Sequence, residues 1–482
     1  MRLRKLFKEI NDAQIKGARD PEITGICSNS KLVAPGSLFI AKQGLVNDGA
    51  SYIVEAIQAG ASAVLTDIFD PSLKEIVQVI HKNPASIEGQ LAHDYYKSPS
   101  RELFVVGITG TNGKTTTSFL TKYLLDHLSG ATAGLIGTIE YIIGKSRYQA
   151  VRTTPDIISN QKMLREMCHQ GCQDAIMEVS SHALMQGRVD KIYFNVAIFT
   201  NLTEEHLDYH QTMDAYCAAK NLLFKNLDQG TAAVVNADSP WVERIIKDCK
   251  APIFTYGILN QADLMASDIK LTTEGTSFSL HYQAQVYPVQ IPLIGRFNVY
   301  NCLAALGACL KKGFKIEKMI PLLPTCPSVS GRLEPVLNAK GLKIYVDFAH
   351  SADSLENVLS CLTELKTGKI ITVFGCGGDR DKAKRPSMAN SAERYSDFCI
   401  VTSDNPRSEN PGSICEEIAS AFKKNAYIIE IDRKKAIAKA IEMASPLDII
   451  LIAGRGHETS QIFAHKTIEF DDCKIAKELC NC

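Results

Sequence analysis

The chain has 482 residues, 45% hydrophobic and 22% charged, with 53 Lys plus Arg against 53 Asp plus Glu. Zero net charge excludes a bulk field that would draw nucleic acid or an anionic membrane. At about 150 residues per domain the length predicts three domains, each able to bury its own core, and no apolar run approaches the roughly 18 residues of a membrane span.

Met1-Arg2-Leu3-Arg4-Lys5-Leu6-Phe7 is amphipathic and charged, without the apolar core of a signal peptide. The 15 cysteines form no CxxC pair and no Cys/His zinc pattern; thiols scattered in this way read as reduced and predict a cytoplasmic protein. A polar, Pro-containing stretch at 95–102 closes the first segment. A predicted strand at 103–108 then empties into Gly110-Thr111-Asn112-Gly113-Lys114-Thr115-Thr116, and a helix follows over 113–128. A Gly-rich turn into a helix aims backbone N–H groups and a helix N-terminus at one point, which suits a polyphosphate. Lys114 would reach its terminal phosphates and the Thr115 hydroxyl would hold the accompanying Mg²⁺. Ile108 stands where the usual phosphate-loop pattern has its first glycine, so the match is partial. The loop predicts ATP or GTP binding.

Strands at 133–137, 174–179, 194–199 and 231–236 alternate with helices at 157–171 and 214–228, the signature of a parallel sheet covered by helices. Glu178 closes the strand at 174–179, just before Ser180-Ser181-His182. The strand at 194–199 runs into Thr200-Asn201-Leu202-Thr203-Glu204-Glu205-His206-Leu207-Asp208-Tyr209-His210. Glu178, His206 and the Thr115 hydroxyl all leave carboxyl ends of strands and can converge there. Oxygen ligands with one imidazole suit Mg²⁺ or Mn²⁺ better than zinc. His206 alone would read as a loop or cap residue, and Lys220, on the helix at 214–228, as a solvated lysine. Asn301, in a helical pattern at 298–313, would read as a helix-start cap.

A punctuated stretch at 321–333 opens a third segment with strands near 342–347, 369–374, 397–402, 427–431 and 447–453. Its loop Phe374-Gly375-Cys376-Gly377-Gly378-Asp379-Arg380-Asp381 lacks the GxGxxG dinucleotide pattern but follows a strand, where open α/β sheets place ligands. Asp404-Asn405-Pro406-Arg407 follows the strand at 397–402 in the same way. The fold predicted is α/β in three domains, 1–98, 99–331 and 332–482. The first is smaller, the central one carries a mostly parallel sheet with the phosphate loop, and the third is Rossmann-like.

In order, GTNGKTT, EVSSH, NLTEEHLDYH, GRFNVYN, SGRLE and DFAHSADSL resemble the Mur ligase family, cytoplasmic enzymes that build the peptide stem of bacterial peptidoglycan with ATP. TTPD, FGCGGDRDK, DNPR and GRGHE resemble its branch that adds the third amino acid. The resemblance covers about 25–460. It implies that a D-glutamate carboxylate of UDP-N-acetylmuramoyl-L-alanyl-D-glutamate attacks the ATP γ-phosphate, and that an incoming amine displaces phosphate from the acyl phosphate. It also implies metal ligation by Thr115, Glu178, His206 and a carbamylated Lys220, with Lys114, Glu178, His206 and Lys220 catalytic. Asn301, Arg332 and Asp347 match positions near adenine and ribose. Ser30, Thr153, Thr154, Ser180, Gln186 and Arg188 match positions holding the muramoyl-dipeptide. Asn29 and Lys31 replace the family's Asp and Arg beside Ser30, and Phe348 and Ala352 replace Tyr and Pro in DFAHSADSL.

For the amino acid the resemblance implies Arg380, Asp404, Asn405, Pro406, Arg407, Gly454 and Glu458, with meso-2,6-diaminopimelate as the substrate selected by Arg407. A guanidinium pairs with the distal carboxylate that lysine lacks. It further implies a monomer that meets no nucleic acid and inserts in no membrane. The alternatives are an L-lysine-adding ligase of the same family, a folylpolyglutamate synthase-like ligase, and a nucleotide-dependent switch without ligase chemistry.

Overall fold

The computed structural model describes residues 1–44 and 48–481. The chain forms two compact units, Met1–Gly107 with Ser129–Ala197, and Ile108–Leu128 with Ile198–Cys482. The unit boundaries fall inside the strands Phe104–Thr109 and Val196–Phe199 and at the end of the helix Lys114–Leu128.

In the first unit, Gly25–Cys27, Ser37–Ile40, Ala63–Thr66 and Val77–Ile80 run parallel, and Gln14–Lys16 adds an antiparallel edge. Ser37–Ile40 and Ala63–Thr66 are buried at every position, because a parallel sheet is covered on both faces and its strands read as unbroken apolar runs. Gly134–Ile136 pairs in parallel with Asp174–Glu178. An antiparallel hairpin, Glu140–Ile143 with Ser146–Gln149, extends from Gly134–Ile136. The helix Ile157–His169 starts where TTPD ends: the Asp156 carboxylate accepts the Ser159 N–H at 2.9 Å and caps it.

In the second unit the helix Lys114–Leu128 packs against Arg296–Lys311, and Gly307 lets the latter lie close to the sheet, where a Cβ would come within 2.8 Å of Val234. Ala232–Asn236, Ile253–Gly257 and Leu264–Thr272 run parallel, then Gly275–Tyr282 and Gln285–Ile291 form an antiparallel meander. The sheet nearest the C-terminus is ordered Glu334–Pro335, Lys343–Asp347, Ile449–Ala453, Ile370–Phe374, Phe398–Val401, Tyr427–Ile429, parallel except at its first strand. Strand period two splits it between two cores. Ile449, Leu451 and Ala453 face one with Met388 and Ile414, while Ile450 and Ile452 face the other with Ile437 and Ile475.

Each strand expected between 103 and 453 overlaps an observed one. The hairpin at 140–149 and the meander were not anticipated: Ser146–Gln149 is wholly exposed, and the second half of Leu264–Thr272 alternates exposed with partly buried residues. Among the described residues no helix is long and apolar enough to cross a membrane.

Candidate active site

The phosphate loop lies wholly within the second unit. Gly113 has φ +85°, and a Cβ there would come within 2.4 Å of Asn301 Oδ1. Only glycine meets both conditions. The loop is clamped by the segment after Val196–Phe199. Asn201 receives the Asn112 N–H on its side chain and the Thr111 N–H on its carbonyl, each at 2.9 Å. Thr200 Oγ1 donates to the Asn112 carbonyl at 2.6 Å. Lys114 Nζ curls back to the carbonyls of Gly110 and Thr111 at 2.8 and 2.7 Å, at the point where a phosphate oxygen would compete for it.

Beside the loop is a cavity of about 510 Å³. Asn112, Gly113 and Thr116 line one side, and Asn301, Arg332 and Asp347 another. Asn301 does not cap a helix, as its sequence context suggested. It is the sixth residue of Arg296–Lys311, buried, accepting from Thr117 Oγ1 at 3.2 Å and donating to Asn298 at 2.9 Å. Arg332 Nη2 donates to Thr115 Oγ1 at 3.2 Å while its guanidinium lies 4.8 Å from the Phe348 ring centre. Burial raises the Asp347 carboxyl, against the pull of Arg332 and of N–H groups from Leu333 and Ala349. With both oxygens engaged by those N–H groups, Asp347 fixes the chain around Phe348.

Lys220 is not solvated, as helical periodicity alone implied; it is 1% exposed. Nζ donates to the Gly110 carbonyl at 2.9 Å and sits 4.5 Å from the Tyr216 ring centre. Burial, then the Lys114 charge, pushes its amine well below the ordinary lysine range. An uncharged amine is the form that adds CO₂. Nearby, Glu205 bridges two imidazoles, His350 at 3.5 Å and His206 at 3.8 Å. Burial works to raise the Glu205 carboxyl, but the hydrogen bond and charge of His350, with His206 and Lys114, bring it to about 2. The His206 backbone is left-handed, φ 58°, at the start of Leu207–His210, and its side chain makes no cap bond. Among the described residues no three His, Cys, Asp or Glu side chains gather into a cage. A hydroxyl, an imidazole and a modifiable lysine beside a phosphate loop suit Mg²⁺, which takes most of its ligands from phosphate and water.

In the first unit five of the expected dipeptide-holding residues, Thr153, Thr154, Ser180, Gln186 and Arg188, form one network, with Ser30 apart from it. Thr154 Oγ1 bonds the Glu178 carbonyl at 2.8 Å and the Ser180 N–H at 3.1 Å. Arg188 Nη1 donates to the Thr154 carbonyl at 2.9 Å and Nε to Gln186 at 3.0 Å. Thr138 donates to both Glu178 oxygens at 2.9 Å and meets Thr153 Oγ1 at 3.1 Å. Ser30 is 7% exposed in a 3₁₀ turn that Asn29 caps through the Lys31 N–H. Asn caps a turn as well as Asp does, which gives this chain's Asn29 a local role, and Lys31 is exposed.

Near the C-terminus the carboxyl ends of neighbouring strands bring the remaining residues together. The Arg407 backbone is left-handed, φ 51°, and its Nη1 donates to the Gly378 carbonyl at 2.7 Å. Asn405 Nδ2 donates to Glu458 at 2.6 Å, and Asn405 Oδ1 accepts from the fully buried Arg455 at 3.1 Å. Burial and the neighbouring Asp404 raise the Glu458 carboxyl. A Cβ on Gly454, φ +110°, would meet Asp404 Oδ2 at 2.6 Å. Pro406 is buried and Arg380 exposed. Arg385, 1% exposed, braces the region through Glu409 and Glu417. The N–H of Asp379, then Arg385, holds the Glu409 carboxyl at about 2.

Sequence reasoning did not single out Glu205, Asn201 or Asp353. Glu205 and Asn201 stand inside NLTEEHLDYH and Asp353 inside DFAHSADSL, so motif membership was the available signal. Apart from His206, which neighbours Glu205, their partners come from distant segments.

Residues 22–96, 108–309 and 331–456 match, respectively, the catalytic domain of the Mur ligase family, the Mur ligase middle domain and the glutamate ligase domain of Mur ligases. A UDP-N-acetylmuramoyl-L-alanyl-D-glutamate–2,6-diaminopimelate ligase of Chlamydia felis is 43% identical over 484 residues, 99% of each chain. A solved structure of a ligase of that name aligns with TM-score 0.70 and 30% identity over 98% of each chain. Folylpolyglutamate synthase of Mycobacterium tuberculosis, complexed with ADP and AMPPCP, shares the fold at TM-score 0.64. It is 16% identical and covers 76% of this chain and 91% of that one.

Proposed function

The chain belongs to the Mur ligase family, and from that premise we propose that it joins meso-2,6-diaminopimelate to UDP-N-acetylmuramoyl-L-alanyl-D-glutamate. It is an ATP-dependent ligase that forms an amide bond. The observation that carries the choice of amino acid is the group at the C-terminal strand ends: Arg407 beside Asn405, Glu458 and Asp404. A guanidinium for a carboxylate and acidic groups for an ammonium match an amino acid whose far end carries both charges.

In the first step a D-glutamyl carboxylate oxygen bonds to the γ-phosphorus as its bond to the β–γ bridging oxygen breaks, leaving ADP and an acyl phosphate. In the second the amine nitrogen attacks the acyl carbon, the bond to phosphate oxygen breaks, and inorganic phosphate and a proton leave. Two anions must meet in the first step, so cations do most of the work. Lys114 leaves its loop carbonyls for the phosphates. A Mg²⁺ ion supplies charge neutralisation when bound; Thr115 would hold it, with His206 and a carbamylated Lys220 serving a second ion. The metal role of Glu178 rests on the family resemblance. Asn301, Arg332 and Asp347 line the nucleotide cavity. Thr153, Thr154, Ser180, Gln186 and Arg188 would take the muramoyl-dipeptide, with Ser30 toward its nucleotide. Arg380, Pro406 and Gly454 complete the amino-acid pocket.

The test is ADP release with the UDP-muramoyl-dipeptide and each amino acid in turn. The expected result is turnover with meso-diaminopimelate and little with L-lysine. ATP consumption without either acceptor, or a preference for lysine, overturns the reading.

A further inference from the structure

One oxygen of Asp353 accepts two hydrogen bonds from separate loops of the nucleotide site. Asn112 Nδ2, in the phosphate loop, lies 3.0 Å from Asp353 Oδ2, and Thr203 Oγ1 lies 2.9 Å away. These partners stand 241 and 150 residues from Asp353 in sequence. Asp353 sits in the first turn of Ala352–Leu365, a helix begun by a capping box of Ser351 and Ser354. The rigid start of that helix therefore fixes its height and direction, and a carboxylate there is favoured by the helix dipole. The two loops are also tied to each other: the Thr203 N–H donates to Thr111 Oγ1 at 3.1 Å. Asn112, Thr111, Thr203 and Asp353 thus close a ring on the wall of the nucleotide cavity, which Asn112, Thr203 and Asp353 all line.

We propose that Asp353 is a positioning residue that docks the segment presenting the amino acid onto the phosphate loop, so that nucleotide binding and amine delivery share one anchor. Charge-assisted bonds to both donors are stronger than neutral ones. The inference rests on the ligase reading for its amine-delivery half. Its nucleotide half stands on the hydrogen bonds alone.

The experiment measures the ATP KM, diaminopimelate KM and kcat of Asp353→Ala, Asp353→Asn and Thr203→Val, together with the Kd of a non-hydrolysable ATP analogue. Asp353→Ala should raise the ATP KM and the analogue Kd roughly tenfold and lower kcat, while the diaminopimelate KM stays within about twofold. Asp353→Asn keeps an acceptor oxygen and should recover most of the loss. Thr203→Val should weaken the analogue on its own, and adding it to Asp353→Ala should change little, since both act through one bond. A wild-type analogue Kd in Asp353→Ala, an Asn variant as poor as Ala, or additive effects with Thr203→Val would each overturn the proposal. If Asp353→Ala does not fold, the Asn and Thr203 variants decide it. Failure of the wild type to use diaminopimelate sinks the ligase reading and leaves the analogue Kd still testing Asp353.

Discussion

Lys114, Lys220 and Arg407 each spend their basic group on loop carbonyls, the first two on Gly110 and the third on Gly378, and each can be tested singly. Lys114 should be the least replaceable. Its charge matters most as phosphoryl transfer develops, so Lys114→Ala should abolish turnover while leaving the melting temperature near wild type. Turnover close to wild type would remove the phosphate-loop assignment. Lys220 is 1% exposed with its amine pushed toward the neutral form. Its neutral nitrogen can bond CO₂ and release one proton, which turns a buried uncharged amine into an anionic carbamate able to face a metal. Lys220→Ala should lose activity by roughly 10- to 100-fold, with partial rescue by short carboxylic acids. Mass spectrometry of the native enzyme at mildly alkaline pH should show the CO₂ adduct, and an unmodified amine with ligands bound counts against it. Arg407 spends Nη1 on the Gly378 and Asn405 carbonyls, leaving the rest of its fork for a carboxylate. Losing such a pair in a desolvated pocket costs on the order of 2–5 kcal/mol. Arg407→Ala should therefore cut kcat/KM for diaminopimelate by roughly 30-fold or more with the ATP KM unchanged. A mutant that keeps its preference over lysine ends this account of selectivity.

At the scale of elements, the group formed by Arg407, Asn405 and Glu458 is braced by a buried ion pair behind it. Arg433 and Asp472, both fully buried, pair through two 2.8 Å contacts, and Arg433 also donates to the Ala453 carbonyl at 2.9 Å. The start of the last helix, Asp472–Asn481, is thereby bound to the end of the strand that leads into Gly454 and Glu458. Removing one partner strands a buried charge, so Asp472→Ala should cost about 3–5 kcal/mol in denaturant unfolding. Replacing both residues by apolar ones of similar size should cost much less. If the single and double variants are equally destabilised, the pair is not what holds these elements.

Over the whole molecule, stability should respond to acid through His457. Burial, then the Arg332 charge, holds its imidazole down to about 4 from an ordinary 6.5. The unfolded chain takes up this proton at higher pH than the folded one, so the contribution is present above pH 6.5 and drains away as the pH falls toward 4. The melting temperature of wild type should drop through that window, and His457→Gln should drop less steeply. Parallel curves would show that His457 does not carry the effect.

The sequence alone determined the alternation of strands and helices, because strands buried on both faces are continuous apolar runs and Gly113 marks a turn no other residue fits. It marked the phosphate loop, and through ordered motifs it determined the family. It left open which polar residues are partners, because that depends on segments hundreds of positions apart. Lys220 looks solvated in its own helix, and it is buried with its amine against the Gly110 carbonyl, 110 positions away. Asn301 looks like a cap until Gly113 of the phosphate loop and Thr117 of the helix after it arrive beside it. Glu205 and Asp353 were unremarked acids within known motifs. Only the tertiary structure set one between two imidazoles and the other between two loops, since hydrogen bonds act over about 3 Å and a linear pattern records no such proximity.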